Sequence, residues 1–325
     1  MRAILLGPQR RPTLDAVVRP LFPSGPAGPF ATVTAGWQER EPDDGELSAL
    51  LGGRVVKLEL YRRWLDVQER DPEYATAERA LQEMLAELQD LYLLRLDYAL
   101  RAVYALQRRA GTDRLGGTLT ERVASPVAEA VAAVRELDAA HLGHVNEVRG
   151  EFFARLQPHD RPVIASHRAS VADILGGASA LVVAGGHVGV LADVLHLFNV
   201  AAALQSTALP FMTGRSPVIA WSAGAMALAD RIVLFHDRSL HGPGHPEVYG
   251  SGLSITRDVV LLPHARARLR LDDTLRMAVF AQRFAPARCV LLEAGTRLEF
   301  SGDGGFPSGT RVLAEDGHVT SPAAA

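Results

Sequence analysis

Apolar residues along this chain follow two rhythms. Near the N-terminus, and again from about residue 180 onward, they form short runs bounded by glycine, proline or charged residues. Between about 72 and 156 they recur instead every three or four positions. The first rhythm predicts buried strands and the second predicts amphipathic helices. Ala3-Ile4-Leu5-Leu6 and the run 31–35 predict two strands, separated by Pro- and Gly-rich sequence over 23–29.

Asp71-Pro72-Glu73 predicts a helix start. Asp caps the first turn, proline loses nothing there because its missing N–H would be unpaired anyway, and the acid suits the helix dipole. Leu81, Leu85, Leu88, Tyr92, Leu96, Ala99, Val103 and Leu106 then form one apolar stripe, and Gly111, Gly116 and Gly117 predict its end. A second long helix is predicted after Pro126, with Val127, Val131, Val134, His141, Val145, Val148, Phe152 and Leu156 on one stripe. Two such helices joined by a short connection predict an antiparallel hairpin. Its leftover apolar positions predict contact with the main domain or with a second subunit.

From 162 to 320 strands and helices alternate. Strands are expected at 180–184, 217–220, 231–235, 259–262 and 289–292, and helices at 188–204, 223–230 and 272–284. The segments 297–300 and 311–314 predict a terminal hairpin. Alternation of this kind predicts an α/β fold with a largely parallel sheet. The chain thus divides into residues 1–44, the first strands of the α/β domain; 45–160, a helical insertion; and 161–325, the remainder of the α/β domain.

Composition narrows the function classes. With 325 residues, 48% hydrophobic and 22% charged, the chain has the balance of a folded globular protein. A formal net charge of -3 supports neither nucleic-acid nor anionic-membrane binding. The one cysteine, Cys289, lies in an apolar run and reads as core, so neither a disulfide framework nor a cysteine zinc site is expected. The N-terminal apolar run is too short for a signal peptide, and no uncharged stretch is long enough for a bilayer span. The expected compartment is the cytoplasm.

The richest segment is Ser216-Pro217-Val218-Ile219-Ala220-Trp221-Ser222-Ala223-Gly224-Ala225-Met226. An apolar strand runs into small-x-Ser-x-Gly and a helix follows, which is the nucleophile-elbow arrangement. Small flanking residues let the turn lift the Ser222 hydroxyl clear of the sheet. The Ala223 N–H then lies at a helix start, where it suits an oxyanion. Two more residues follow apolar strands: His264 after Val259-Val260-Leu261-Leu262-Pro263, and Glu293 after Cys289-Val290-Leu291-Leu292. The carboxyl edge of an open α/β sheet is where ligands bind, so His264 is the candidate base and Glu293 the candidate orienting acid. Ala184-Gly185-Gly186-His187 follows a further strand, and its glycines allow backbone N–H groups to approach a substrate oxygen.

Together these segments resemble the peptidase S51 family, which comprises dipeptidase E and cyanophycinase, on a class I glutamine-amidotransferase-like fold. Ala-Gly-Gly-His, Ala-Trp-Ser-Ala-Gly-Ala, Leu-Pro-His-Ala and Leu-Glu-Ala-Gly-Thr stand in that family's order over about 176–300. The resemblance implies a three-layer α/β sandwich with a mostly parallel sheet, here carrying an inserted helical hairpin. It implies Ser222 as nucleophile, His264 as base, Gly186 and Ala223 as oxyanion-hole amides, and cleavage of a peptide or amide bond without metal or organic cofactor. Two features depart from the family. His187 stands where the family has Asn, and the family's catalytic Glu position falls on Ala294, one residue after Glu293. A slip of one residue on a strand turns a side chain to the other face.

Other features carry less. Arg266, Arg268 and Arg270 alternate as on a solvated basic face, and Arg266 and His187 are the candidates for contacting substrate. The segment 241–247 reads as a Gly/Pro connector rather than a lid. His141, His144 and Glu147 share a helix face but read as surface residues rather than a metal site. A serine at the elbow argues against glutamine amidotransfer, which uses cysteine there. The order Ser, His, acid argues against an esterase of the α/β-hydrolase type, whose acid precedes its histidine. The rival from another class is a catalytically inactive binding or scaffold protein on the same fold, motivated by the displaced acid and by His187. The expected partners are a small peptide or amide substrate and a second copy of the chain, paired through the helical insertion.

Overall fold

The structure, a computed structural model, describes residues 1–9, 14–110, 117–206, 211–237, 244–300, 307 and 309–321, without the side chains of 110 and 117–125. In chain order the elements are β1 (Ala3–Leu6), α1 (Leu14–Leu21), β2 (Phe30–Val33), α2 (Gly45–Leu50), β3 (Val55–Lys57), α3 (Leu60–Arg70), α4 (Pro72–Ala110), α5 (Gly117–Leu156), α6 (Pro162–Gly177), β4 (Ala180–Val183), α7 (Val188–Leu197), α8 (Val200–Gln205), β5 (Val218–Trp221), α9 (Ala223–Leu228), β6 (Arg231–Leu234), β7 (Glu247–Ser251), β8 (Val259–Pro263), α10 (Ala265–Arg268), α11 (Thr274–Phe284), β9 (Arg288–Leu292), β10 (Arg297–Phe300), β11 (Val312–Leu313) and β12 (Val319–Thr320).

The central sheet has six strands in the order β10-β1-β5-β4-β2-β3. Four of its five pairings are parallel, and the edge pairing of β10 with β1 is antiparallel. Alternate side chains of each strand enter different apolar clusters. Ile4, Leu6, Ala180, Val182 and Ile219 pack with Leu14, Val17 and Val18 of α1 and Leu47 of α2. Leu5, Leu181, Val183, Val218 and Ala220 pack on the other face with residues of α6, α7 and α9. The fold is therefore a three-layer α/β sandwich on a mostly parallel sheet. Both faces are covered, which is why the strands read as continuous apolar runs.

Four expectations need correction. First, the stretch after residue 44 is not all helix. β3 pairs in parallel with β2 and completes the sheet edge, with its three residues only half-buried. A run as short as Val55-Val56-Lys57 carries too little pattern to stand out. Second, 297–300 and 311–314 do not pair with each other. β10 joins β1, whereas β11 joins β9 and β12. Two adjacent short strands look like a hairpin, but each is used to extend a different sheet. Third, β8 and β9 are not in the central sheet. They form a second sheet, ordered β12-β11-β9-β8. The second long helix also starts before Pro126, which lies inside α5.

The helices α4 and α5 form the expected antiparallel hairpin. Tyr74 meets Phe152, with ring centroids 5.5 Å apart, and Tyr92 stacks on His141 at 4.0 Å, so sequence rises along one helix as it falls along the other. The Gly111 and Gly116 stop signals lie outside the described residues. A buried polar knot joins the hairpin to the main domain. The Arg283 guanidinium donates to Asp138 Oδ1 at 2.6 Å and to the Tyr92 hydroxyl at 2.7 Å, and it also reaches the Pro246 carbonyl. The Tyr92 hydroxyl donates to Asp138 Oδ1 and accepts from the Val248 amide. This knot pins β7 between α4, α5 and α11. Among the described residues, no helix is long and apolar enough to cross a membrane.

Candidate active site

β5 ends at Trp221 and α9 begins at Ala223, so Ser222 alone makes the turn. Its backbone sits at φ 50°, ψ −122°, a conformation that L-residues rarely adopt. The local sequence makes this turn possible. Gly224 lies against the end of β4, where an added Cβ would come 2.5 Å from the Val183 carbonyl oxygen. Only hydrogen fits there, so α9 can start tight against the sheet. Strain of this kind costs about 1–3 kcal/mol and persists where surrounding structure enforces it. Ser222→Gly is therefore expected to raise stability by about 1 kcal/mol, since the gain in relief exceeds the entropic cost of glycine. Chemical denaturation of the two proteins measures it, and a glycine variant of lower stability would mean the turn is not strained.

Ser222 opens onto a cleft of about 870 Å³. Gly185, Gly186, Ala223 and His264 line the same cleft, together with Trp37, Trp221, Phe235, His245, Glu247 and Arg268. The 185–187 turn reaches Ser222 closely, for an added Cβ on Gly185 would stand 3.0 Å from the Ser222 Cβ. Gly186 has φ 135° and lies so close to Gly36 that a side chain there would meet the Gly36 carbonyl oxygen at 2.3 Å. The His187 amide donates to that same carbonyl at 2.8 Å and anchors the turn. The first N–H groups of a helix have no intrahelical acceptor, so the Ala223 amide is available to a ligand oxygen by the geometry of α9 itself.

His264 arrives by another route than expected. It does not share a sheet with Ser222; it follows β8 of the second sheet, in a left-handed turn at φ 58°, ψ 32°. Two contacts hold the sheets in place at this point. The His264 amide donates to the Leu292 carbonyl at 3.2 Å, and the Gly7 amide at the end of β1 donates to the Thr296 carbonyl at 2.9 Å. The β9–β10 turn thus ties the two sheets together, and His264 lines the same cleft as Ser222.

Glu293 sits in that turn. Its carboxylate Oε1 accepts from the Arg266 amide at 2.7 Å, capping the short helix that follows His264. Its own amide donates to Thr296 Oγ1 at 3.1 Å. The Glu293 side chain is half-buried and does not line the cleft. Arg266 is exposed and also lies outside the cleft lining, where Arg268 stands instead. His187 is exposed too, and its Nδ1 accepts from the Val190 amide at 3.2 Å as the cap of α7. His141 is buried on Tyr92, with Nε2 2.8 Å from Gln89 Oε1, rather than standing on a helix surface.

The cleft holds further polar residues. Arg268 lies 6.0 Å from the Phe235 ring, and burial lowers its pKa. Glu247 accepts from Gln89 Nε2 at 3.1 Å, and burial raises its carboxyl above the usual range. Burial, then the neighbouring Arg276, lowers the His245 imidazole. Glu247 and His245 belong to the segment read as a plain connector, of which 241–243 lie outside the described residues. Their partners, Gln89 and Asp97, come from the inserted helix α4, and no local pattern around residue 245 points to them.

No family model and no curated protein matches this chain. Among solved structures the chain is similar to a peptidase from an acI-B1 Actinobacterium, known from its crystal structure. The two are 16% identical, with 58% of this chain and 85% of that chain covered, at a TM-score of 0.29. A likeness of that degree carries no weight for the chemistry, which rests on the geometry of the cleft around Ser222 and His264.

Proposed function

We propose that this protein is a serine-nucleophile hydrolase of the S51 type, cleaving a peptide or amide bond through an acyl-enzyme. The single observation that carries the reading is the strained backbone of Ser222 at a strand-to-helix turn that opens onto a cleft shared with His264. Backbone strain of this kind clusters at functional sites, and here it sits on a hydroxyl residue at the mouth of a cleft. Ser222 Oγ attacks the substrate carbonyl while His264 takes its proton. The amides of Gly186 and Ala223 receive the developing oxyanion. His264 then returns the proton to the leaving amine, and a water molecule activated by the same imidazole releases the acyl group. Glu293 acts in this reading through the turn: by holding the Arg266 amide it fixes the backbone from which His264 projects.

One observation favours the non-catalytic reading. The Glu293 carboxylate is engaged by a backbone amide and stands outside the cleft lining. A fluorophosphonate probe separates the two readings. Covalent labelling of the folded protein that disappears in Ser222→Ala, read by intact mass, is the expected result. A folded protein that the probe leaves unmodified overturns the hydrolase and leaves the scaffold.

A further inference from the structure

The long helix α4 buries one stripe against α5 and the main domain, yet a second apolar stripe faces solvent. Met84, Leu91, Leu94 and Tyr98 are each at least half exposed. Met84, Leu91 and Tyr98 follow one another at seven-residue intervals, so they share one face of the helix. Ala80 and Ala102 extend that face at either end and are exposed as well. Scattered exposed apolar residues are ordinary on protein surfaces, but a contiguous row along one helix marks an interaction surface.

Charge says what covers it. Before Leu91 the exposed charges of α4 are Glu73, Arg79, Glu83, Glu87 and Asp90, net acidic; after it they are Arg95, Arg101, Arg108 and Arg109, net basic even with the half-buried Asp97 that pairs with Arg101. A helix with an acidic first half and a basic second half complements a copy of itself lying antiparallel, and repels a parallel copy. The register is equally specific. With Leu91 on a two-fold axis, Met84 meets Tyr98 of the second copy, Ala80 meets Ala102, and Glu87 meets Arg95. Neither Glu87 nor Arg95 forms an ion pair with another described residue of its own chain. Each contact occurs twice, as a two-fold interface requires.

We propose that α4 is the interface of a homodimer, pairing antiparallel with α4 of a second copy about Leu91. The interface runs from Met84 to Tyr98, about 21 Å of helix. It lies on the face of α4 away from the Tyr92 knot. The hydrolase reading plays no part in this inference, and its readout is molecular mass.

Light scattering of the full chain should give twice the 35.0 kDa chain mass. Leu91→Glu sets two carboxylates against each other on the axis and should weaken the dimer by at least about tenfold. Glu87→Arg and Arg95→Glu should each weaken it by setting like charges together, and the double variant should recover it, because the pair is merely exchanged. Leu91→Cys should form a disulfide-linked dimer on oxidation, since the native Cys289 is buried. The charge variants lie on the surface and keep the test decisive even where Leu91→Glu fails to fold. A wild-type chain that is monomeric at tens of micromolar, a dimer indifferent to Leu91→Glu, or a double charge variant that stays dissociated would each overturn the proposal.

Discussion

Removing the Ser222 hydroxyl and removing the His264 imidazole should cost nearly the same, and removing both should cost little more. A nucleophile and the base that activates it work as one unit, so either loss disables both. Measured on an activated amide or nitrophenyl ester that the wild type turns over, Ser222→Ala and His264→Ala should each lower turnover by about 10⁴–10⁶-fold. The double variant should fall within about tenfold of the single ones. Residual rate would then report the oxyanion amides of Gly186 and Ala223, which neither substitution removes. Additive losses would mean that the two residues act in separate steps, contrary to their shared cleft. Glu293→Gln discriminates further. A carboxylate that only caps the Arg266 amide leaves most of its function to the amide oxygen of Gln, so turnover should fall far less than in His264→Ala.

The second large effect is on stability. Asp138→Ala leaves the Arg283 guanidinium buried, with its carboxylate partner gone. The pair is almost wholly inaccessible, and Arg283 sits 3% exposed. Desolvation opposes the Arg283 charge, and the hydrogen bond and charge of Asp138 restore it. Breaking such a pair on one side typically costs about 3–5 kcal/mol. Replacing both partners, as in Asp138→Leu with Arg283→Met, should recover much of that loss, because no charge is then stranded. Urea denaturation of the single and double variants tests both statements. A loss below about 1 kcal/mol for Asp138→Ala would mean that water reaches Arg283. The same knot positions Pro246 and Val248 on either side of Glu247, so the single variant should also perturb the cleft.

Much of this protein was legible in its sequence. The strands at 3–6, 180–183, 218–221 and 259–263 announce themselves because a strand covered on both faces must be apolar throughout. The hairpin is legible because a long helix buried on one side must repeat every three or four residues. Ser222 stood out because Ala220, Ala223 and Gly224 around it are small, and its backbone lies at φ 50°. These are local requirements, and local sequence records them.

What only the tertiary structure decided is pairing across long separations. No pattern within 288–313 says that β10 crosses to β1 while β11 stays with β9, since both are short segments with little pattern of their own. Nor does it say that β8 and β9 leave the central sheet, so that His264 and Ser222 reach one cleft from two different sheets. The position of Glu293 was equally hidden. Its partner, the Arg266 amide, lies 27 residues earlier, and a backbone amide carries no sequence signature. The same holds for Glu247 and His245, which the inserted helix α4 brings into play from about 150 residues away. A side chain's partners are chosen by where the chain returns in space. That choice is made by packing the whole core at once, so it is written in no single segment.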